Sequence, residues 1–228
     1  CIRDSINGDG SITGLAVGGL PDGSVDADSL ASNAVTSTKL ATNAVTTNKI
    51  ANGAATQAKR TYASGEIIQT VHASTTDSSY YSNSNSWTDY LSASITPTSS
   101  SNKVLIYHVV TYGGNDNSYA GGRCYRSGSG TTDTYIQTPT NYQWTESRFT
   151  DSSFMMFMNG SANDVYKMWQ TTFMHVDTPA SSAAVTYTFA IKADAANRTA
   201  FINRSDNNPT NGYNPRPVTT VTLMEIKG

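Results

Sequence analysis

Two rhythms of apolar and polar residues divide the chain. From Gly65 to Gly228, apolar and polar positions alternate in short runs, the period-two signature of β-strands. The runs are GEIIQTVHAS (65–74), SWTDYLSASITP (86–97), NKVLIYHVVTY (102–112), GGRCYRSG, TDTYIQTP, RFTDSSFMMFMNG, DVYKMWQTTFMHVD, AAVTYTFAIKAD (183–194), RTAFINRS and PVTTVTLMEIKG. They predict eight to ten strands and no convincing helix, hence a mainly β fold whose C-terminal part is an antiparallel β-sandwich of jelly-roll type. In the second run Trp87, Leu91, Ala93 and Ile95 share one phase, so Trp87, like Trp169, reads as core. In the third run Val104, Ile106 and Val110 lie on one face and Leu105, Tyr107 and Val109 on the other. An antiparallel sandwich normally keeps one face wet, so this strand asks for a second buried surface, which a subunit interface would supply.

The second rhythm occupies residues 24–61. Val25, Leu30, Val35, Leu40, Val45 and Ile50 are spaced five apart, and Lys39, Lys49 and Lys59 keep time at ten. A step of five turns about 140° on an α-helix and alternates faces on a strand, so neither element makes a continuous stripe. The unit is therefore compound. Leu40, Ala41, Ala44 and Val45 have the spacing of one helical face, and Thr46, Thr47 and Asn48 suit a turn. Each unit is too poor in apolar side chains to offset the cost of ordering it, roughly 1–2 kcal/mol per residue. It needs a partner, and the economical one is the same segment of another subunit around a shared axis. Residues 24–61 thus read as a thin trimeric stalk, the alternative being an Ala/Thr/Asn linker. Residues 1–23 are Gly-rich and read as a connector made of turns, and 62–228 as the head. Asn7-Gly8-Asp9-Gly10 has the flavour of a calcium loop, but Ser5 and Ala16 stand where carboxylates are required.

Composition narrows the function. Charged residues are 14% of the 228, below the roughly 25% typical of soluble domains. Net charge is −2 with no basic block, which argues against nucleic acid, and no apolar run approaches a membrane span. The chain begins at Cys1 rather than Met, as expected of a processed chain or a part of a longer one. A leading cysteine also fits a lipoprotein, although nothing else supports that. With Cys124 as the other cysteine there is no disulfide framework, which suits assembly in a reducing cytoplasm before display outside.

LSASITPTSSSNKVLI (91–106), the terminal VTLMEIKG (221–228) and GGLPDGSVDADSLASNAVTSTKLA resemble the C-terminal part of tail-fibre and related appendage proteins of bacteriophages, notably those of marine cyanobacteria. The resemblance implies a virion protein of the tail or another external appendage, a homotrimer, and a distal domain that touches the host. It carries no catalytic motif and marks no receptor-contacting residue.

The chemistry of the residues agrees with binding. Glu66, Glu146 and Glu225 have no obvious acidic partner for glycoside cleavage, and Asp151, five from Glu146, reads as a solvated turn. His72, His108 and His175 fall inside predicted strands without metal-ligand spacing, and no serine sits in a Gly-x-Ser-x-Gly elbow. No cofactor, metal or enzymatic activity is expected. Glycan binding asks only for aromatic platforms beside amides and hydroxyls on loops. Four stretches fit: Tyr80 and Tyr81; Tyr119; Tyr142 and Trp144; and Asn211, Tyr213 and Arg216. For each the competing reading is ordinary packing. Arg123 and Arg126 suit anionic sugars or plain solvation. The expected function is non-enzymatic attachment of a homotrimeric virion fibre to a host surface glycan or lipopolysaccharide, with other virion proteins held through the N-terminal side and no membrane insertion. The rival is a structural connector or decoration protein that docks another virion protein.

Overall fold

The computed structural model describes residues 5–6, 12–13, 25, 28, 30–52, 54, 56, 59–82, 86–114, 119–128, 131–136, 152–157, 166–193, 195, 198–206 and 216–228. The chain forms two compact units, Cys1–Arg60 and Thr61–Gly228. Its secondary structure is mainly β, and its helical pieces among the described residues are short 3-10 turns, Ser37–Lys39, Thr47–Lys49 and a further one that includes Lys59.

In the first unit the Gly-rich start contains a small antiparallel pair, β1 (Ser5–Ile6) and β2 (Ile12–Thr13), where turns alone are expected. The ten-residue units do not contain the expected helical face. The Ala44 N–H donates to the Ala41 carbonyl at 2.9 Å, as Ala34 does to Ala31 and Ala54 to Ala51, so the apolar part of each unit is a tight turn. Asn33 and Asn43 both sit at φ 64°, a left-handed conformation that asparagine tolerates better than most residues. The polar part holds the helical piece instead: Lys39, Lys49 and Lys59 N–H groups donate to Thr36, Thr46 and Thr56 carbonyls. Lys39 and Lys49 then fold back, their Nζ donating to the Ala34 and Ala44 carbonyls at 2.9 and 3.1 Å. Two turns per unit leave the apolar side chains outside. Val25, Leu30, Val35, Leu40, Val45 and Ile50 are all exposed in the single chain, between 44% and 54%.

The second unit consists of two antiparallel sheets. One contains β3 (Ile67–Thr75), β13 (Thr219–Ile226), β6 (Lys103–Gly114), β12 (Ala200–Ile202) and β4 (Tyr81–Ser82) in that order, with β10 (Trp169–Asp177) on the far side of β6. The other runs β5 (Thr88–Ile95), β11 (Val185–Ala193), β7 (Tyr119–Gly128), β8 (Thr131–Tyr135), with β9 (Phe154–Phe157) also on β7. The long runs of the sequence reappear as these strands, their ends shifted by a few residues. The very short β4 has no counterpart in the pattern.

In each sheet one central strand divides an edge between two partners. On β7, β9 pairs with 119–122 and β8 with 125–128. Between them the Ser153 hydroxyl receives the Cys124 N–H at 2.9 Å and donates to the Ile136 carbonyl at 2.5 Å, which closes the gap in the ladder. On β6, β13 pairs with 103–109 and β12 with 112–114. There Asn203, at φ 58°, gives its N–H to the Thr111 carbonyl, its Nδ2 to Thr75, and accepts the Thr219 hydroxyl on Oδ1.

The inner faces of the two sheets meet in one core of Tyr90, Ile95, Val104, Ile106, Val110, Met156, Phe173, Tyr187, Phe189, Ile191, Ile202 and Leu223, among others. His108 lies at its centre, fully buried and stacked 4.0 Å from the Phe189 ring. Its Nδ1 reaches the Thr220 carbonyl and its Nε2 the Tyr90 hydroxyl, both at 2.8 Å, so a neutral ring satisfies both atoms. Burial pulls its pKa down to about 3. Glu225 is also fully buried. Burial pushes its carboxyl up, but donors from Asn102 Nδ2, Gln69 Nε2 and the Thr98 amide and hydroxyl outweigh it and bring the pKa below the usual value. The carboxylate ties the last strand to the 98–102 turn.

Val104, Ile106 and Val110 are fully buried, as their phase predicts. Leu105 and Val109 are only half-buried and Tyr107 is 42% exposed, so the described residues leave that second face incompletely covered.

Candidate functional site

The antiparallel register sorts the loops to two ends. The chain enters the second unit beside Ile226, where the 96–102 and 178–184 connections also lie. The opposite end gathers the segments after β3, after β6, after β11 and before β13, because β3 ends against Thr219, β6 ends against Ala200, and β11 ends against Ala120. Three of the four sequence-selected stretches, those around Tyr80–Tyr81, Tyr119 and Arg216, therefore open at one end, remote from the point of entry.

Their individual placements differ. Tyr81 is 48% exposed, its ring 6.2 Å from Phe201. Tyr80 is half-buried against the core and its carbonyl receives the Ile202 N–H, so packing describes it best. Arg216 is exposed and lies near enough to Arg204 to contribute, after burial, to lowering that guanidinium's pKa. Arg204 itself stacks 3.9 Å over Phe201. The Tyr119 side chain, Tyr142, Trp144, Asn211 and Tyr213 lie outside the described residues, as do Glu146 and Asp151.

The clearest cluster is one that alternation alone misplaces. Strand β5 carries a β-bulge: Asp89 faces Ala190 and Leu91 faces Phe189, which leaves Tyr90 as the extra residue. The bulge turns Tyr90 inward, 3% exposed, and reverses the phase of everything before it. Trp87 is thereby sent to the outer face instead of the core its phase predicts, whereas Trp169 does pack against the core, stacked on Tyr112. On that outer face Arg123 lies 4.5 Å from the Trp87 ring, 5.3 Å from Tyr125 and 4.9 Å from Tyr135. Lys192 lies 5.5 Å from the same Trp87 ring. The Tyr125 hydroxyl donates to Asp89 Oδ2 at 2.8 Å, and Tyr135 is 46% exposed. Farther along the face Ser92, Ser94, Thr186, Thr188 and Ser127 continue a carpet of hydroxyls, with Ser94 and Thr186 bonded at 2.7 Å.

Arg126 parts company with Arg123. It points between the sheets into an ion pair with Asp177, which also accepts the Tyr187 hydroxyl at 2.8 Å. With side-chain exposures of 15% and 12% this pair is a bridge across the sandwich and not a solvated ligand contact. Cys124 beside it is a buried free thiol, its pKa pushed up by burial.

The opposite outer face, on the six-stranded sheet, has other chemistry. Leu105, Tyr107 and Val109 stand beside Val176, Met174 and Thr172 of β10 and beside Met224, Thr222 and Thr220 of β13. Met174 is 66% exposed and Val176 47%. Among the described residues no group of three or more His, Cys, Asp or Glu side chains has the arrangement to hold a metal ion. No protein-family model matches the chain, and no curated protein matches it.

Proposed function

We propose that this chain is the C-terminal part of a homotrimeric bacteriophage tail-fibre or appendage protein, carried on the virion, that attaches to a glycan or lipopolysaccharide of the host surface and performs no chemistry. The observation that carries the proposal is the contrast between the two outer faces of the head. One is an apolar patch around Met174, Val176, Leu105 and Tyr107, suited to burial against other copies. The other offers rings, hydroxyls and two cations, the groups that recognise sugars. In this reading the exposed apolar residues at every fifth position of 25–50 meet their counterparts in a trimeric stalk, whose two turns per unit keep each chain thin.

The head is, in this reading, a jelly roll. With β8 and β9 counted as one edge position and the short β4 and β12 set aside, the strands in chain order form layers first–eighth–third–sixth and second–seventh–fourth–fifth. That is the order obtained when one long antiparallel hairpin is wound over itself. Attachment by three weak sites draws its strength from multivalency.

The test is the mass of the full chain in solution together with its binding to host cells. Three times the chain mass of 24.3 kDa, with cell binding blocked by purified lipopolysaccharide, is the expected result. A single-chain mass would remove the trimer. The apolar face also fits a connector that docks another virion protein, in which case binding to virion particles and not to cells is the result.

A further inference from the structure

Along most of its length the larger sheet runs β10, β6, β13, β3, and its two margins are strands of nine residues each. Among the described residues β3 pairs only with β13, and β10 only with β6. Soluble proteins usually blunt such margins with lysine, proline or a bulge, because an open strand edge invites another chain. Neither Ile67–Thr75 nor Trp169–Asp177 contains Lys, Arg or Pro, and β10 follows β6 without a bulge. The one register shift of β3 against β13 lies at its start, before Gln69. The one acid on these strands, Asp177, is held by Arg126.

Outward side chains cross the sheet in rows. The central row is Met174, Tyr107, Thr222 and His72. On one side of it a row runs from Val176 to Thr70, and on the other from Thr172 to Ser74. At both margins all six of these end residues are exposed. No Asp, Glu, Lys or Arg stands in the three rows, so the face offers a strongly charged partner nothing to match. All three strand pairings are antiparallel, so β10 and β3 run in opposite directions. Side by side in neighbouring copies around an axis along the strands, they meet as an antiparallel pair.

The width of the sheet suits three copies. Four strands at ~4.8 Å make a wall about 19 Å wide. Three such walls closed as a triangular prism leave the axis roughly 5.5 Å from each, close to half of the ~10 Å at which facing sheets pack. One layer of side chains from each wall fills that space. Nine residues at ~3.3 Å make the wall about 30 Å long, or roughly 570 Å² of flat area, which side-chain relief raises toward the ~800 Å² per partner of stable interfaces.

Resting on the homotrimer reading above, we propose that the heads join head to tail, β10 of one copy against β3 of the next, with the three apolar faces turned inward. Contacts between unlike surfaces of this kind close into a ring, whereas a twofold pair sets like against like. The face that carries Trp87 and Arg123 then lies on the outside of the ring. A threefold axis along the strands keeps each row at one height, so Met174 meets His72 of the next copy. Within one copy the two are three strand spacings apart, roughly 14 Å, too far for a disulfide.

The experiment is disulfide trapping in the full chain, with Cys1→Ser as the parent and Cys124 left buried. Met174→Cys is combined in turn with Thr70→Cys, His72→Cys and Ser74→Cys, three heights that allow for strand tilt. Each chain is sized in solution, oxidised mildly and run on a denaturing gel without reductant. The expected result is a three-chain mass throughout, linked dimers and trimers from at least one pair, and no linkage by any of the four substitutions alone. Absence of linked bands from every pair, in chains that keep the three-chain mass, overturns the edge-to-edge joint and leaves the trimer standing. Linkage by Met174→Cys alone also overturns it, because like residues then meet. Should Met174→Cys itself lower the mass, Thr172→Cys with Ser74→Cys, one row along, decides by the same readings. A parent mass of one chain overturns the joint and the trimer together.

Discussion

The outer faces of the two sheets are built by the same backbone rule and come out opposite. Each has strands that alternate inward and outward, and each inner face contributes to one shared core. Outward positions on β6, β10 and β13 carry Leu105, Tyr107, Val109, Met174, Val176 and Met224. Outward positions on β5, β7 and β11 carry Ser92, Ser94, Arg123, Tyr125, Thr186, Thr188 and Lys192. Leaving Met174 66% and Val176 47% exposed forgoes a part of the roughly 1.5–3 kcal/mol that full burial of each would give, whereas the hydroxyl and charged face has little to gain from being covered. The comparison teaches that alternation tells which residues leave the core, and side-chain chemistry tells what meets them there.

The sharpest way to break this contrast is a charge on each face. Met174→Lys places an ammonium where the proposed interface excludes water, and assembly should weaken by about 3 kcal/mol or more, read as a fall in solution mass toward one chain. Thr188→Lys on the other face should leave the mass unchanged, and an equal response of the two variants would erase the distinction. Next in size is a change to the core that both faces share. A Cβ on Gly122 would lie 2.1 Å from the Phe154 ring, itself stacked on Phe173. Gly122→Ala should cost about 2–3 kcal/mol in denaturant unfolding and weaken both faces together.

Acid provides a third and smaller effect. His108 is neutral in the fold, with a pKa near 3 against an ordinary 6.5. As pH falls below 6.5 the unfolded chain takes up the proton first, so stability is full above that value and declines by up to about 1.4 kcal/mol per pH unit down toward 3. Between pH 6.5 and 5 the loss should be about 1.5–2 kcal/mol, measured by urea unfolding, and a His108→Gln chain should show a flatter profile over that window. The smallest effect is expected at the polar face. Trp87→Ala removes one ring from Arg123 and should cost only about 0.5–1 kcal/mol, with no change in solution mass, while ligand binding falls. A large loss of stability there would make Trp87 a core residue after all.

Much of the fold was legible because long strands advertise themselves. Runs such as 102–112 and 183–194 reappear as β6 and β11, since a long run rich in β-branched and aromatic residues outweighs local ambiguity. The ten-residue units were legible as units but not in their inner geometry. The spacing of Leu40, Ala41, Ala44 and Val45 fits a helical face, yet Asn43 at positive φ makes a tight turn there first. The site was less legible still. Tyr81 and Arg216 stand exposed at one end, and Tyr80 became packing. The Trp87–Arg123–Tyr135 cluster joins residues up to 48 apart in sequence, so no local pattern carries it. A small signal was present: Tyr90 is an aromatic residue out of phase within an otherwise regular run, the mark that a bulge leaves.

By itself the sequence determined that this is a β protein with a periodic first part, that Val104, Ile106 and Val110 face a core, and that Leu105, Tyr107 and Val109 face something else. These are consequences of period and hydrophobicity, which act residue by residue along one strand. Only the tertiary structure decided that Arg126 is spent on Asp177 while Arg123 stacks among rings, that His108 and Glu225 are satisfied structural groups, and that one bulge moves Trp87 from core to surface. Each of those outcomes depends on which strand lies next to which, and partners such as Arg126 and Asp177, His108 and Thr220, or Glu225 and Asn102, which lie 51, 112 and 123 residues apart, leave no trace in local spacing.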